Sequence, residues 1–225
     1  MEKINVFIKS LLLCAAIGMV SCTNYQYIDT GLANGKHDYS VWEYLHTQPD
    51  DWDSTILLIE NAGMKAYFDG SMKDEQITFL GVTNLSILRL MLQHNEEVAN
   101  NEYGEEWNRV ADIPEEICQY ILKRLIVPRR LTVNDIPKGD YNEKTGSETD
   151  GKVYPTLEGE LFIYTFREDY NDIPEKGEFG LYVYLHDSQN YYKNRIVSTD
   201  IQMTNGVVHA LSYNFDLTAL SYDIY

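Results

Sequence analysis

The stretch that decides the fold reads Asp200-Ile201-Gln202-Met203-Thr204-Asn205-Gly206-Val207-Val208-His209-Ala210-Leu211. Asn205-Gly206 predicts a tight turn of type I′, because both residues tolerate the positive φ angles that this turn requires. Apolar residues flank the pair on both sides, so the stretch predicts two strands joined as a hairpin. His209 falls within the second of these strands.

Two roles are open for His209. It is either a catalytic or metal-binding imidazole, or a buried side chain held in a strand by a hydrogen bond. Its neighbours are apolar on both faces, as in a strand that is covered on both sides. No acidic residue, cysteine or second histidine stands near it at ligand spacing. The pattern therefore favours a structural role for Asn205, Gly206 and His209.

Length and charge limit the class of protein. The chain has 225 residues, enough for one large domain or two small ones. Its formal net charge of −17 makes nucleic acid an unsuitable partner, because affinity for phosphates depends on lysine and arginine. An acidic surface also disfavours direct adsorption to anionic lipid.

The N-terminus has the pattern of an export signal. Lys3 and Lys9 precede an apolar run, residues 11–20, that is too short to span a bilayer. The run ends in Gly18-Met19-Val20-Ser21-Cys22, which resembles the lipobox of bacterial lipoproteins. The resemblance implies cleavage before Cys22 and attachment of palmitate-type acyl chains to its sulfur and its new amine. The alternative is an ordinary secretory signal with an incidental cysteine.

The three cysteines then have separate fates. Cys14 leaves with the signal, Cys22 carries lipid, and Cys118 remains alone, so the mature chain has no intramolecular disulfide. The fold must therefore depend on its hydrophobic core. Cys118 lies beside the apolar stripe of a predicted helix, which favours a structural thiol over a reactive one.

The first half of the domain has helix signals. Ser40 and Glu43 have capping-box spacing, Gly63 predicts a helix C-terminus, and Thr83-Asn84 predicts an N-cap. A further capping signature starts at Asp112. The helix after Asn84 carries leucines at helical spacing, and the helix after Asp112 carries an apolar stripe: Leu85, Leu88 and Leu92, then Ile113, Ile117, Tyr120, Ile121 and Leu125.

One acidic cluster allows two interpretations. Asp50, Asp51 and Asp53 invite a calcium site, but the ligand spacing of a calcium loop is absent. Carboxylates are favoured in the first turn of a helix by the macrodipole. The sequence therefore predicts a helix start here, and no metal site.

The second half of the domain reads as extended chain. Strands are predicted over 157–166, 180–185, 194–203 and 207–215, and residues 138–153 are predicted to be an exposed loop. A mainly helical half followed by a mainly extended half predicts an α+β fold.

Two stretches together resemble the signatures of fasciclin domains. Residues 77–87, Ile-Thr-Phe-Leu-Gly-Val-Thr-Asn-Leu-Ser-Ile, resemble the first signature, in which a strand runs into a helix. Residues 204–211, with Asn-Gly-Val-Val-His, resemble the second. The resemblance covers about residues 38–217. It implies a single compact β-wedge or sandwich with packed helices, used as an extracellular adhesion or binding module.

The resemblance has departures. Gly81-Val82 stands where many members have Ala-Pro, and the Tyr-His pair linked to integrin binding in animal members would fall at Arg124-Leu125. An integrin role is therefore not carried over. The domain is longer than most members of the family around residues 95–112, 138–153 and 167–195. These insertions offer room for a binding surface particular to this protein.

No hydrolase, zinc-protease or phosphate-loop motif occurs in the sequence. Tyrosines crowd the C-terminal third, where strand packing accounts for most of them. Tyr191-Tyr192, in an apparent loop, are the candidates for ligand contact.

The sequence thus predicts a signal over 1–21, a tether over 22–37, the domain over 38–217 and a tail over 218–225. The expected function is a lipid-anchored, non-catalytic binding or adhesion module without cofactor, in the outer membrane of a Gram-negative-type bacterium. Its ligand is a protein or a polysaccharide. The alternatives are an accessory glycan-capture lipoprotein of a polysaccharide-uptake system and, more weakly, a hydrolase.

Overall fold

The computed structural model describes residues 35–72, 75–101, 104–142, 146–185 and 194–221. The predicted signal, Cys22, most of the tether and the Tyr191-Tyr192 pair lie outside these ranges. Within them the α-helices are α1 Val41–Thr47, α2 Pro49–Asn61, α3 Lys65–Phe68, α4 Asn84–Asn101, α5 Glu115–Leu125 and α6 Thr218–Ser221. Short 3₁₀ helices cover Val110–Asp112 and Val133–Asp135.

The strands are β1 Ile77–Gly81, β2 Ile126–Val127, β3 Asp140–Asn142, β4 Ser147–Thr149, β5 Lys152–Pro155, β6 Glu160–Arg167, β7 Phe179–Leu185, β8 Asn194–Met203 and β9 Gly206–Leu211. Seven of the described strands form one mixed sheet in the order β2-β1-β9-β8-β7-β6-β5. The α+β prediction is confirmed.

The parallel pair of the sheet is β1 and β9, its second and third strands, with Phe79 opposite Val208. Every residue of both strands is buried. Both strands read as short continuous apolar runs, the pattern of strands that are covered on both faces. All other pairings in the sheet are antiparallel.

The predicted hairpin is present as β8 and β9, but the type I′ turn is wrong. Met203 pairs with Gly206, so the two loop residues are Thr204 and Asn205, one position earlier than predicted. Neither of these residues nor Gly206 has a positive φ angle. Gly206 is required for space, because an added Cβ would lie 2.7 Å from the carbonyl oxygen of Ile77.

Two of the four predicted helix signals are confirmed. The Ser40 hydroxyl accepts from the Glu43 N–H at 3.2 Å, and the Glu43 carboxylate accepts from the Ser40 N–H at 2.8 Å. Gly63 follows the end of α2 with φ +65°, the left-handed conformation of a helix C-terminus.

The other two capping predictions are wrong. The Asn84 side chain faces α2 and accepts from the Ser54 N–H at 2.7 Å, so Asn84 does not cap its own helix. The Asp112 carboxylate accepts from the Arg109 N–H at 2.9 Å and closes the 3₁₀ helix before α5. Asn84 is thus engaged by Ser54, 30 residues before it, whereas Asp112 is engaged by Arg109, three residues before it.

The segment over 138–153 is largely exposed, as predicted, but the prediction of a loop is wrong. It contains β3 and β4, which pair with each other, and β5, which joins the edge of the main sheet. Buried Tyr141 stacks on Tyr184 with ring centroids 4.1 Å apart. These two residues form a second apolar cluster with Phe162 and Tyr164, separate from the main core.

Part of the extra length after α4 belongs to the main core as well. Trp107 is buried, and its N–H and C=O groups bind the Asn95 side chain at 2.7 and 3.1 Å. Its ring stacks on His94 with centroids 3.5 Å apart. Ordered structure extends beyond both limits of the predicted domain, residues 38 and 217. Lys36 forms a parallel β-bridge with Gln202, and Leu220 of α6 is buried.

Cys118 lies in the main core at the inner face of α5. Burial raises the pKa of its thiol to about 11, although the Asn61 amide, 3.3 Å from Sγ, acts in the opposite direction. No helix in the described part of the chain is long and apolar enough to cross a membrane.

Candidate binding groove

The turn between β8 and β9 is fixed by its own asparagine. Asn205 is buried; its Oδ1 accepts from the Val41 N–H at 2.9 Å and its Nδ2 donates to the Phe68 carbonyl at 2.9 Å. These bonds satisfy a free N–H at the start of α1 and a carbonyl at the end of α3. One side chain thus joins the turn to two helices.

Arg130 closes the same end of the hairpin from the other side. Its Nη1 donates to the Met203 and Gly206 carbonyls at 2.9 and 3.1 Å and to Gln76 Oε1 at 3.1 Å, and its Nη2 donates to Gln202 Oε1 at 3.1 Å. A guanidinium offers five donors in a fixed plane, so a single side chain can satisfy several acceptors. The hairpin end is therefore a rigid platform.

His209, in the middle of β9, is buried with 1% of its surface exposed. Its Nε2 lies 3.0 Å from the Leu131 carbonyl, and its Nδ1 accepts from the Asp200 N–H at 3.2 Å. These partners assign the proton of the neutral ring to Nε2. Burial lowers the pKa of His209, while the Leu131 carbonyl and the Asp200 carboxylate act in the opposite direction.

An open groove of about 730 Å³ lies directly outside the hairpin end. Its lining combines apolar and polar side chains from four separate stretches of the chain: Tyr67, Met72, Glu75, Gln76, Pro128, Arg129, Arg130 and Leu157. Gln76 and Arg130 belong both to the platform and to the groove. The groove floor is thus held by the hydrogen bonds that fix the turn.

Arg129 is the groove cation that internal contacts leave available. Within the described ranges its guanidinium makes no hydrogen bond or ion pair, in contrast to Arg130. Its charge is felt at Asp135, whose pKa is lowered first by the N–H and hydroxyl of Thr132 and then by Arg129. A guanidinium beside the apolar wall formed by Tyr67 and Leu157 can bind an anionic or polar group of a ligand.

Among the lining residues of the groove, one side chain is acidic, that of Glu75. Among the described residues, no three histidine, cysteine or acidic side chains come together in a way that would hold a metal. The arrangement is suited to binding a ligand surface by apolar contact and hydrogen bonds.

Sequence reasoning did not find this groove, because no local motif encodes it. Its residues come together only when α3, the segment before β1, the segment after β2 and the turn between β5 and β6 meet at the hairpin. The Arg129-Arg130 doublet in a chain of net charge −17 was the available signal. The predicted ligand contacts, Tyr191 and Tyr192, lie outside the described residues, and the structure places neither.

No protein-family model matches the chain, and no curated protein matches it. A solved structure does: a FAS1 domain pair from the insect cell adhesion molecule fasciclin I, with a TM-score of 0.52 and 15% sequence identity. The chain has the fold of a FAS1 domain. The match covers 81% of this chain and 52% of the other, so the chain spans about half the length of that domain pair.

The two stretches that resemble fasciclin signatures are neighbours in this fold. The two stretches that resembled fasciclin signatures form β1 with the start of α4, and the turn with β9. They lie side by side as the parallel pair of the sheet. The groove lies at one end of this pair.

Proposed function

We propose that this protein is a binding or adhesion module of fasciclin type, held at the bacterial cell envelope by lipid on Cys22 and acting without catalysis. The observation that carries the proposal is the FAS1-type fold, because the solved structure that shares it belongs to a cell adhesion molecule. In this proposal residues 38–217 act as a single domain with the wedge or sandwich shape of that family.

The groove gives the proposal a specific surface. Tyrosine and arginine are the residue types that most often dominate binding energy in protein interfaces, and Tyr67 and Arg129 stand together in the lining. The floor beneath them is fixed by Arg130 and Asn205, so a ligand meets a preorganised surface.

The anchor is proposed from the sequence alone. A basic region, a short apolar run and small residues before Cys22 form the lipobox-like order. Acylation of this residue would hold the domain at the outer membrane of a Gram-negative-type bacterium, on its periplasmic or its outer face.

A glycan ligand is the second candidate, and the composition of the groove favours it. Tyrosine offers a flat apolar face with a polar tip, which suits a sugar ring. Arg129, Glu75 and Gln76 supply hydrogen-bonding groups beside Tyr67. In this version the protein is an accessory glycan-capture lipoprotein.

The test uses the full chain expressed in a bacterial host and crosslinked in intact cells, followed by identification of the captured partners. A glycan array with the same protein runs in parallel, and a polysaccharide digest checks for released product. Arg129→Gln and its control Lys176→Gln, an exposed charge outside the groove, remove the same charge. We expect Arg129→Gln to lose the partner and Lys176→Gln to retain it.

Specific protein capture supports adhesion or protein binding, whereas array signal without turnover supports glycan capture. Product release would contradict the non-catalytic proposal. Equal capture by both charge variants would show that the groove is not the binding surface.

A further inference from the structure

A second surface is formed by exposed leucines on two neighbouring helices. Leu57 of α2 is 50% exposed, and Leu85, Leu88 and Leu92 of α4 are 56%, 46% and 60% exposed. We call these four residues the leucine surface. Isolated exposed leucines are ordinary, but a contiguous group of large apolar side chains marks an interaction site.

The opposite face of α4 already supplies the core. Ile87, Leu90 and Met91 are buried, so the first half of α4 carries a second apolar face besides the one that its exposed leucines form. An apolar helix face is normally covered by another element. The leucines of α4 follow the spacing i, i+3, i+7 and lie along one line of the helix. Nothing in the described part of the chain covers them.

The two helices are joined where both begin. The Asn84 side chain accepts from the Ser54 N–H at 2.7 Å and donates to the Pro49 and Asp50 carbonyls at 3.0 and 2.9 Å. The Thr55 hydroxyl donates to the Val82 carbonyl just before α4. Leu57 lies about one turn after Ser54, and Leu88 lies about one turn after Asn84, the bonding partner of Ser54.

The border of the leucine surface is acidic. Asp50, Asp53, Leu57 and Glu60 succeed one another on the exposed face of α2, and Glu96 follows Leu92 one turn later on α4. The two helices together carry six carboxylates and one arginine: Asp50, Asp51, Asp53, Glu60, Glu96 and Glu97 against Arg89.

We propose that the leucine surface binds a cationic amphipathic helix of a partner protein. The apolar side of that helix would cover the leucines, and its lysines and arginines would meet the acidic border. Helix-in-groove recognition uses apolar anchors at this spacing, and opposite charges at the rim add specificity and speed of association.

The charge of the surface argues against the other occupants. A second copy would bring its own acidic border against the first, and like charges across an interface are unfavourable. An anionic lipid surface would be repelled for the same reason. The leucine surface shares no residue with the groove at the hairpin, so the proposal goes beyond the function proposed above and does not depend on it.

The probe is a peptide of leucine and lysine, about four helical turns long, with its leucines on one helical face. A second peptide of the same composition and scrambled order is the control ligand. Binding to the full chain is followed by fluorescence anisotropy at low and at physiological salt. We expect the amphipathic peptide to bind on the order of tenfold more tightly than the scrambled one.

Matched variants then locate the binding. The double variant Leu88→Ser with Leu92→Ser removes two anchors, and Val197→Ser removes an apolar side chain that is 60% exposed on β8. We expect the double variant to bind the peptide on the order of tenfold more weakly than wild type. Val197→Ser should bind it with wild-type affinity. Asp53→Asn with Glu60→Gln should weaken binding mainly at low salt, whereas Asp172→Asn should not.

Thermal unfolding checks that each variant is folded, and serine at these exposed positions leaves the core intact. Peptide binding by the leucine double variant at wild-type affinity would overturn the proposal. So would equal binding of the scrambled peptide. Dimerisation of the unliganded protein that Leu88→Ser abolishes would assign the surface to a second copy instead.

Discussion

The main-chain N–H of Asp200 donates to Nδ1 of His209 across 3.2 Å, from one strand of the hairpin to the other. This contact exists because β8 is irregular: its register against β9 shifts between Ser198 and Ile201, and Asp200 takes a left-handed φ of +57°. The bulge turns one strand N–H away from the ladder and onto the imidazole.

The protonation of His209 should make stability depend on pH. Burial lowers its pKa in the folded protein below the ordinary value of 6.5. The unfolded chain therefore binds the extra proton more readily, so stability is present above pH 6.5 and is lost as the pH falls through that value toward the folded-state pKa.

The measurement is urea unfolding of wild type and His209→Ala across pH 5 to pH 8 (about the range over which histidine titrates). The other histidines are common to both proteins, so the difference between the two curves isolates His209. We expect the stability advantage of wild type over His209→Ala to shrink toward acid. An advantage that grows toward acid would show that the imidazole is charged in the fold.

His209→Ala should destabilise the protein without removing its binding activity. The substitution leaves the buried Leu131 carbonyl and Asp200 N–H without partners, which costs roughly 1–3 kcal/mol, plus a cavity term. We expect a lower melting temperature and full ligand or partner capture in the fraction that stays folded. Wild-type stability together with lost capture would instead make His209 a site residue.

Gly206→Ala should destabilise the hairpin by about 1–3 kcal/mol, as overpacking does. The obstacle is the Ile77 carbonyl, 2.7 Å from the added Cβ, and the φ angle of Gly206 is not positive. Gly63 is the matched control, because it has open space but φ +65°. Asparagine tolerates left-handed φ, so it should be better than alanine at Gly63 and no better at Gly206. Free energies of unfolding of the four variants provide the test.

The sequence predicted those elements that depend on a local pattern of residues. The buried strand β9 was found because a continuous apolar run has few other uses. The Ser40-Glu43 capping box was found because its partners are three residues apart. Both signals are local, and no distant residue competes for the groups involved.

Signals whose partners are distant in sequence were misjudged. Asn84 is a good capping residue, but its side chain is engaged by Ser54, 30 residues before it. Asn205 suggested a residue of a type I′ turn, and the structure shows it as a buried connector to Val41 and Phe68. The groove was not foreseen for the same reason, since tertiary packing assembles it from separate segments.

Cys22 should be the site of lipid attachment. The order of a basic region, an apolar run and small residues before this cysteine motivates the expectation. Metabolic labelling with a fatty-acid probe should mark the wild-type protein and leave Cys22→Ala unlabelled. Cys118→Ala serves as the control and should label like wild type. Equal labelling of Cys22→Ala would contradict lipidation at this position.

Cys118 should be unreactive in the folded protein. Burial raises the pKa of its thiol from 9.0 to about 11, which reduces the thiolate fraction near pH 8 by about a hundredfold, and only the thiolate is nucleophilic. Buried packing in α5 also blocks access of a reagent. Iodoacetamide should therefore leave the Cys118 peptide unmodified at pH 8 in buffer and alkylate it rapidly in urea. Rapid alkylation without urea would mean that the thiol is exposed and charged, and would make Cys118 a reactive residue.

The same shift should make stability depend on pH. Because the folded-state pKa of Cys118 is raised, the thiol contributes stability that is present below pH 9 and is lost as the pH rises toward 11. Unfolding by urea at pH 8 and at pH 10 should show this loss in wild type and a smaller one in Cys118→Ala.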